Sequence, residues 1–416
     1  MVTYEELCNR NASICVIGLG YVGFPLLKLL SKKYRVIGYD SDYRVVAKLS
    51  AEAGNINKNY ELTNDPKAIS NCKVFIVTVP TPTNEDDYSP NYSYIKSATA
   101  TIASHMGIGT LVIYESTVGP GTTVEKCVPL LEKISGLKCG KDFSVGYSPE
   151  RINPGDTINT LEQITKLVSG FDLKTTNLIK QIYDNVMITP TYPVSDIKIA
   201  ELSKLLENIQ RDVNIALLNE FSEVLSNLNI NVQEVLEAAR TKWNFVNFRP
   251  GIVGGHCIGV DINYYLEFVS KNNLTSKLIG TARDINEEHV EYIFEKIQGY
   301  LENSNAKKIC AMGISYKENV SDIRNSKALK IINHLQDSKK FEIDIFDPLQ
   351  DKEEMKQNKI SLIDIKDFDP CQYDCLLLFV AHRVFKKFLD DKINFDTPVI
   401  NLTEFFETSK NSQYQQ

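Results

Sequence analysis

The chain has no apolar stretch long enough to cross a membrane. Its densest run, Cys375 to Ala381, falls far short of the roughly 20 residues that a spanning helix needs. It has no Lys/Arg-rich run, and 46 Lys and Arg against 53 Asp and Glu leave a net charge of −7, which disfavours nucleic acid as a partner. It has five His and nine Cys, an odd number, and Cys371 and Cys375 stand four apart with no second pair. That pattern argues against a metal centre and a disulfide framework, and a reducing, cytoplasmic compartment fits best. The opening MVTYEELCNR is polar and acidic, unlike a signal peptide. Heptads and short repeats are absent. What remains is an ordinary globular composition, 43% hydrophobic and 24% charged over 416 residues, enough for two or three domains. An acidic protein that takes an anionic ligand must use a few placed cations, so cations inside motifs carry weight.

Short β-like runs at 14–17, 34–39, 74–79, 111–114, 143–147 and 186–188 alternate with helix-like segments. That alternation predicts a parallel sheet covered on both faces. From Ser195 to about Leu228 the period becomes helical, with apolar residues at 202, 205, 206, 209, 213, 217, 221, 224 and 228. At 1.5 Å per residue the helix spans roughly 50 Å, which suits a link between domains and a dimer surface. Residues 231–300 read as helical except for a Gly- and Asn-rich loop at 244–263. After the polar stretch 302–308, strands at 309–313, 342–346 and 375–380 and a helix near 325–337 predict a second, smaller α/β domain. The tail 408–416 is polar and expected to be frayed. The two α/β halves invite comparison as a duplication, although no residue pattern establishes one.

Several motifs carry chemistry. Gly18-Leu19-Gly20-Tyr21-Val22-Gly23 follows a strand and opens a helix. In that context Gly18 permits the tight turn, Gly20 lets backbone approach a pyrophosphate, and Gly23 allows close helix–strand packing. Asp40 ends the second strand, where a carboxylate takes both ribose hydroxyls and repels a 2′-phosphate, favouring NAD over NADP. Val79-Pro80-Thr81-Pro82 and Glu115-Ser116-Thr117-Val118 also end strands, the edge where ligands bind. The hydroxyls of Thr81 and Thr117 are therefore candidates to face the cofactor; the bland alternative is that each Thr serves a turn. Ser148-Pro149-Glu150-Arg151 sets an acid beside a guanidinium, either a site pair or a surface ion pair of little worth. Lys204, Asn208 and Arg211 recur at i, i+4 and i+7, within about 60° of one another on the polar face of the long helix. They are either a solvated face or part of a cleft. Gly254-Gly255-His256-Cys257-Ile258-Gly259-Val260-Asp261, preceded by Pro250-Gly251, surrounds one thiol with exposed backbone. A thiolate beside NAD can add to an aldehyde; otherwise Cys257 is a buried structural residue, as the other eight cysteines are expected to be.

Together these residues resemble the UDP-glucose/GDP-mannose dehydrogenase family, and within it the branch that oxidises UDP-N-acetylhexosamines. The matching stretches are GLGYVG (18–23), VPTP (79–82), ESTVGPGTT (115–123), SPERINPG (148–155), AELSKLLENIQRDVNIALLNE (200–220), FRPGIVGGHCIGVD (248–261) and GISYKENVSDIRNS (313–326). The resemblance implies an α/β protein of two Rossmann-like, doubly wound domains joined by a long central helix. Residues 1–194 would bind NAD, 195–302 would form a helical dimerisation region with the cysteine loop, and 303–407 would bind the UDP part, leaving 408–416 as a tail. A homodimer or higher homo-oligomer is implied, with no membrane partner.

The implied reaction is a four-electron oxidation of the sugar's C6 alcohol to a carboxylate with two NAD, supplying a precursor of surface polysaccharide. Cys257 would be the nucleophile, passing through a thiohemiacetal and a thioester that water hydrolyses. Lys204 would assist proton transfer and stabilise the oxyanion, and Asn208 would hydrogen-bond the same oxygen. Asp261 would orient the water or tune the thiol, and Glu150 would be an acid/base near the thioester. Thr117 would hold the nicotinamide side or a water. Arg151, Ile152, Arg211, Arg249, Gly254, Tyr316 and Lys317 would meet sugar and pyrophosphate, while Gly18, Gly20, Tyr21, Val22, Gly23, Asp40, Thr81 and Arg324 would meet NAD.

The chain departs from the UDP-glucose pattern at Gly259-Val260, where a lysine would precede the acid, and at Pro154, where a second Glu would stand. Both changes match the N-acetylhexosamine branch. Ile262-Asn263 precedes Tyr264-Tyr265 and reads as an insertion-like change. Val45 occupies the place of an expected basic residue, with Arg44 one earlier. UDP-N-acetylglucosamine or UDP-N-acetylgalactosamine lead as substrates, ahead of UDP-N-acetylmannosamine and UDP-glucose. Rival functions are an NAD- and nucleotide-binding regulator without turnover and a two-electron hydroxy-acid dehydrogenase, which would not need Cys257.

Overall fold

The computed structural model describes residues 1–52, 59–84, 88–152, 158–255, 258–385, 397–402 and 407–409. The chain divides into two compact units, Met1–Glu207 with Asn263–Thr275, and Asn208–Ile262 with Ser276–Gln416.

The first unit contains α1 (Tyr4–Cys8), β1 (Ser13–Ile17), α2 (Gly23–Ser31), β2 (Arg35–Tyr39), α3 (Tyr43–Glu52), β3 (Tyr60–Thr63) and β4 (Cys72–Val77). It continues with α4 (Ser93–His105), β5 (Thr110–Tyr114), α5 (Val128–Ser135), β6 (Phe143–Tyr147), β7 (Leu167–Gly170), α6 (Leu173–Asp184) and β8 (Tyr192–Pro193). The strands form one sheet in the order β3-β2-β1-β4-β5-β6-β7-β8. It is parallel as far as β6 and reverses between β6 and β7. Strands β1, β5 and β6 are buried along their whole length, as expected for a parallel sheet covered on both faces. That is why ICVI and LVIY read as continuous apolar runs. The core joins Ile14, Val16, Val74, Ile76, Leu111 and Ile113 of the sheet to Leu26, Leu27 and Leu30 of α2.

One expected strand is absent. Val186 and Met187 close the turn after α6 and put their side chains into this core. Their apolarity reflects packing at a helix end, and the strand of this region is β7, whose Ser and Gly masked it. Eight cysteines are described and all are free; five are buried, but Cys139 is half-buried and Cys8 and Cys371 are exposed, so the expectation that all eight are buried fails for those three.

Helix α7 (Ile197–Asn227) has 31 residues and continues through the boundary between the units. Its faces are distributed differently from the apolar stripe. Glu201, Lys204, Asn208, Asp212, Asn219 and Ser222 are buried, whereas Leu206 is 64% exposed, Leu217 63% and Val224 53%. Leu205 and Ile209 do turn inward. The solvated-face reading therefore fails for Lys204 and Asn208, and holds for Arg211, which is exposed.

The second unit adds α8 (Val232–Arg240), α9 (Ile258–Lys271, partly in each unit), α10 (Lys277–Asn303), β9 (Lys308–Met312), α11 (Lys327–Asp337), β10 (Glu342–Phe346), α12 (Lys352–Gln357), β11 (Cys375–Leu378), β12 (Val399–Asn401) and β13 (Glu407–Ser409). Its sheet runs β10-β9-β11-β12-β13, parallel except for β13 against β12. The expected frayed tail thus begins inside a strand that borrows the edge of β12; residues 410–416 lie outside the described residues. The expected loop 244–263 also ends early. Helix α9 starts at Ile258, because Val260, Ile262 and Tyr264 bury their side chains. Asp261 stands in its first turn, and Ile262-Asn263 continue the helix with no inserted loop.

Candidate active site

In the first unit, the Gly18–Gly23 turn joins β1 to α2. Gly18 has φ +92°, and a Cβ there would lie 3.0 Å from the backbone N of Val79. A Cβ on Gly23 would overlap the carbonyl oxygen of Gly18. At Gly20 a Cβ would meet no protein atom within 4 Å, leaving open the side from which a pyrophosphate would approach. Tyr21 is exposed, and Val22 is the N-cap of α2. Asp40 accepts the Leu19 N–H on Oδ2 at 2.8 Å and the Asp42 N–H on Oδ1 at 2.9 Å. The carboxylate is thereby fixed against the glycine turn, each oxygen keeping a lone pair for a ribose hydroxyl. Arg44 chelates Asp42, with Nη2 2.7 Å from Oδ2. This cradle fits NAD.

Thr81 and Thr117 come together: the Thr81 hydroxyl donates to the Thr117 carbonyl at 2.6 Å. The Tyr264 hydroxyl donates to the Thr81 carbonyl at 3.0 Å and its ring meets Tyr92 edge-on at 5.5 Å. The departure at 262–265 therefore supplies a clamp for the 79–82 loop. Glu150, after β6, accepts the N–H groups of Arg151 and Ile152 on Oε1, both at 2.7 Å. Arg151 pairs with Glu207 at 2.7 Å and donates to the Thr165 carbonyl at 2.8 Å. Glu207 carried no signal beyond an acid on α7.

Four buried polar groups here, Lys166, Glu115, Tyr183 and Glu201, carry no role in the sequence analysis. The Lys166 ammonium lies 2.8 Å from Glu115 and 3.5 Å from Glu150, and Tyr183 donates to the other oxygen of Glu115. Burial opposes the Lys166 charge, but the two carboxylates outweigh it and hold its pKa above the usual value. Burial raises that of Glu115. Glu201, equally buried, accepts from the Gly121 and Thr123 N–H groups and the Thr123 hydroxyl, and burial pushes its pKa up to about 7.

In the second unit, Arg211 donates to the side-chain oxygen Oδ1 of Asn208 at 2.8 Å, and the side-chain amide of Asn208 donates to Asp261. Asn208 is 1% exposed and Asp261 2%, so this chain reaches from solvent into the interior of the second unit. Asp261 follows Cys257 by four positions; Cys257, like His256 and Pro154, lies outside the described residues. Gly254 and Gly255 are strapped to Asn325. A Cβ on Gly254 would lie 2.7 Å from the Asn325 carbonyl, and one on Gly255 would enter the Tyr316 ring. The GGHC and GISYKENVSDIRNS motifs therefore share one construction. Lys317 lies 5.8 Å from the Tyr316 ring centre, Arg324 chelates Asp322, and Arg249 is exposed.

The turn after β9 repeats that after β1. Gly313 N–H donates to the Phe346 carbonyl at 3.0 Å as Gly18 does to Tyr39 at 2.9 Å. Asp347 accepts from Ile314 at 2.9 Å, as Asp40 does from Leu19. Both glycines have positive φ and face the backbone after a third strand, at Val79 and Val380. In the second unit, however, no helix follows the glycine, and Asp347 lies 3.3 Å from the buried His382, which also reaches Ser315 at 3.1 Å.

Comparison with known proteins accords with this geometry. The NAD binding domain of the UDP-glucose/GDP-mannose dehydrogenase family matches residues 12–187, its central domain 198–288 and its UDP binding domain 310–401. Protein CapL of Staphylococcus aureus is 40% identical over 402 residues, 93% of each chain. The UDP-N-acetyl-D-glucosamine 6-dehydrogenase of Salmonella typhi is 37% identical over 91% of each. The solved UDP-D-ManNAc dehydrogenase of Pyrococcus horikoshii superimposes with a TM-score of 0.79 at 32% identity, covering 90% of each chain.

Proposed function

Since this chain belongs to the UDP-glucose/GDP-mannose dehydrogenase family and is an NAD-dependent oxidoreductase, we propose that it oxidises the C6 alcohol of a UDP-N-acetylhexosamine to the carboxylate. UDP-N-acetylglucosamine or UDP-N-acetylgalactosamine is the substrate on this reading, and the product serves surface polysaccharide synthesis. The name of the Salmonella relative supports the first sugar. A second reading, UDP-N-acetylmannosamine, draws on the Pyrococcus structure.

The observation that carries the reading is the chain Arg211–Asn208–Asp261, exposed at Arg211 and buried at Asn208 and Asp261. It ends in the first turn of a 14-residue helix that begins at Ile258, the residue after Cys257. A helix N-terminus favours negative charge close by, which suits a thiolate. NAD, when bound, supplies the hydride acceptor for both oxidations. Cys257 adds to the aldehyde carbon and later leaves as thiolate when water cleaves the thioester. Lys204, buried on α7, and Asn208 stabilise the oxygen on which charge develops. Glu150 or Asp261 takes the proton of water. The exposed Arg211 and Arg249 and the Tyr316–Lys317 turn are assigned to sugar and pyrophosphate, as are Arg151, Ile152 and Gly254; Arg324 is assigned to NAD.

Residues 1–194 are assigned to NAD, 303–407 to UDP, and 195–302 to pairing of subunits through the exposed stripe of α7. Among the described residues no helix is long and apolar enough to cross a membrane, and a cytoplasmic enzyme is our reading. The direct test is Cys257→Ser with each UDP-sugar: it should form no uronate, and undiminished uronate formation would overturn the mechanism.

A further inference from the structure

The glycine turn of the second unit matches that of the first as far as the aspartate. Asp347 takes the Ile314 N–H on Oδ2 at 2.9 Å and the Leu349 N–H on Oδ1 at 3.0 Å. Asp40 takes the N–H groups of Leu19 and Asp42 in the same way. The two carboxylates differ in what else they meet. Asp40 is half-buried, while Asp347 is buried and its Oδ2 also lies 3.3 Å from Nε2 of His382. The side chains of Asp347 and His382 are both 0% exposed. The capacity that Asp40 offers to a ribose goes, at Asp347, to a side chain of the same unit. No helix opens after Gly313. Residues 314–326 run from β9 to α11 without helix or strand, and Tyr316 and Lys317 stand in that segment.

Among the described residues, the polar contacts of the His382 ring go to that segment and to the aspartate that anchors it. Nδ1 accepts the Asn319 N–H at 2.9 Å, so the ring proton sits on Nε2. The Ser315 hydroxyl gives its one hydrogen to the Lys317 carbonyl at 3.0 Å, which leaves its oxygen to accept from Nε2 at 3.1 Å. His382 thus holds the segment at 314, through Asp347, and directly at 315 and 319, on both sides of Tyr316 and Lys317. Asn319 closes the clasp. It has φ +59°, which Asn tolerates, and its side-chain oxygen takes the Arg383 N–H at 2.9 Å. A buried polar group needs a partner, and one would suffice. Three partners spaced along one turn fix its path. The Tyr316 ring carried by that turn packs on Gly255, where a Cβ would lie 2.4 Å from it.

We propose that His382, as the neutral Nε2–H tautomer, is a positioning residue that sets the Tyr316–Lys317 turn for the UDP part of the substrate. This rests on the function proposed above, in which that turn meets sugar and pyrophosphate. The match of residues 310–401 to a UDP binding domain supports it, since that stretch contains the turn, Asp347 and His382. A glycine turn of the kind that fits NAD in the first unit is, in the second, closed by its own histidine and given to a different ligand. A turn set before binding loses less freedom when the ligand arrives. Loosening it therefore falls on affinity for the nucleotide and not on the oxidation steps.

The test compares the parent enzyme with His382→Asn, His382→Gln and Ser315→Ala. Steady-state kinetics gives KM and kcat, calorimetry gives the affinity for UDP alone, and hydrogen exchange follows residues 313–319. Asn can place an acceptor where Nδ1 lies, whereas Gln reaches the Nε2 position instead. A buried N–H left without its acceptor costs about tenfold in affinity. His382→Gln should therefore raise the UDP dissociation constant and the KM for the UDP-sugar about tenfold. Its kcat and its KM for NAD should stay at the parent's values, and residues 313–319 should exchange faster. His382→Asn should lose no more than about threefold, and Ser315→Ala about threefold. UDP affinity at the parent's value in a folded His382→Gln would overturn the proposal. So would equal losses in the Asn and Gln variants, or a loss shared by kcat and KM for NAD, as structural filling alone would give. If His382→Gln does not fold, Ser315→Ala decides by the same readout. A parent that binds UDP but oxidises no UDP-sugar would refute the function proposed above, and the UDP affinities would still decide the role of His382.

Discussion

Asn325 and Gly255 hold each other twice: the Gly255 N–H donates to the Asn325 carbonyl at 3.2 Å, and the Asn325 side-chain amide donates to the Gly255 carbonyl at 3.1 Å. Asn325 has φ +51°, a conformation that Asn tolerates and Ala does not. Asn325→Gly keeps the backbone and loses one hydrogen bond, about 1 kcal/mol. Asn325→Ala adds roughly 1 kcal/mol of left-handed strain. Thermal denaturation should rank parent, then Gly, then Ala. Both variants should lose about tenfold in kcat through the loosened 254–255 segment, with KM for NAD unchanged. Equal kcat in all three would separate this strap from the chemistry.

Asp40 is held in place by two backbone N–H groups before any cofactor arrives. Asp40→Ala should raise KM for NAD about tenfold, the loss of one or two hydrogen bonds to a charged group. It should also narrow the preference for NAD over NADP, because the repulsion of a 2′-phosphate goes with the carboxylate. Steady-state kinetics with both cofactors measures this, and an unchanged ratio would remove Asp40 from ribose recognition.

Glu201 is buried and its pKa is pushed up to about 7, above the ordinary value of 4.5. A carboxyl whose folded pKa is raised contributes stability that is fully present below about pH 4.5 and lost as pH rises through about 7. The full amplitude is about 3 kcal/mol. Glu201→Gln should flatten the pH dependence of unfolding between those limits, as read by denaturant titration at several pH values. An unchanged slope would show that Glu201 is ionised throughout.

The fold was largely legible because parallel strands buried on both faces leave continuous apolar runs, as at 14–17, 111–114 and 143–147. Helix α7 was legible in length but not in facing. Its period is helical whichever side turns inward, and a helix that buries Glu201, Lys204, Asn208 and Asp212 cannot be oriented from apolar residues alone. The site was legible where glycines were forced, at Gly18, Gly23, Gly254 and Gly255. It was illegible at Lys166 and Tyr183, which belong to no motif and meet their partners only through the fold of the first sheet, and at Glu207, whose motif does not show that it pairs with Arg151.

The outward residues of α7 provide a further test. Leu206, Leu217, Phe221 and Val224 are all exposed and fall within about 60° on the helix at 100° per residue. An exposed stripe of this kind marks an interaction surface. Leu217→Glu with Val224→Glu should convert a dimer to a monomer in sedimentation velocity while the circular dichroism spectrum is retained. A parent enzyme that sediments as a monomer would refute subunit pairing through this helix.

The central claim is that one active site carries a UDP-N-acetylhexosamine through two oxidations. The most direct measurement is the NADH formed, at 340 nm, from a limiting amount of each UDP-sugar with the purified protein. Two NADH per UDP-N-acetylhexosamine and none from UDP-glucose are expected. One NADH per sugar would contradict the Cys257 mechanism, and two from UDP-glucose alone would contradict the substrate assignment.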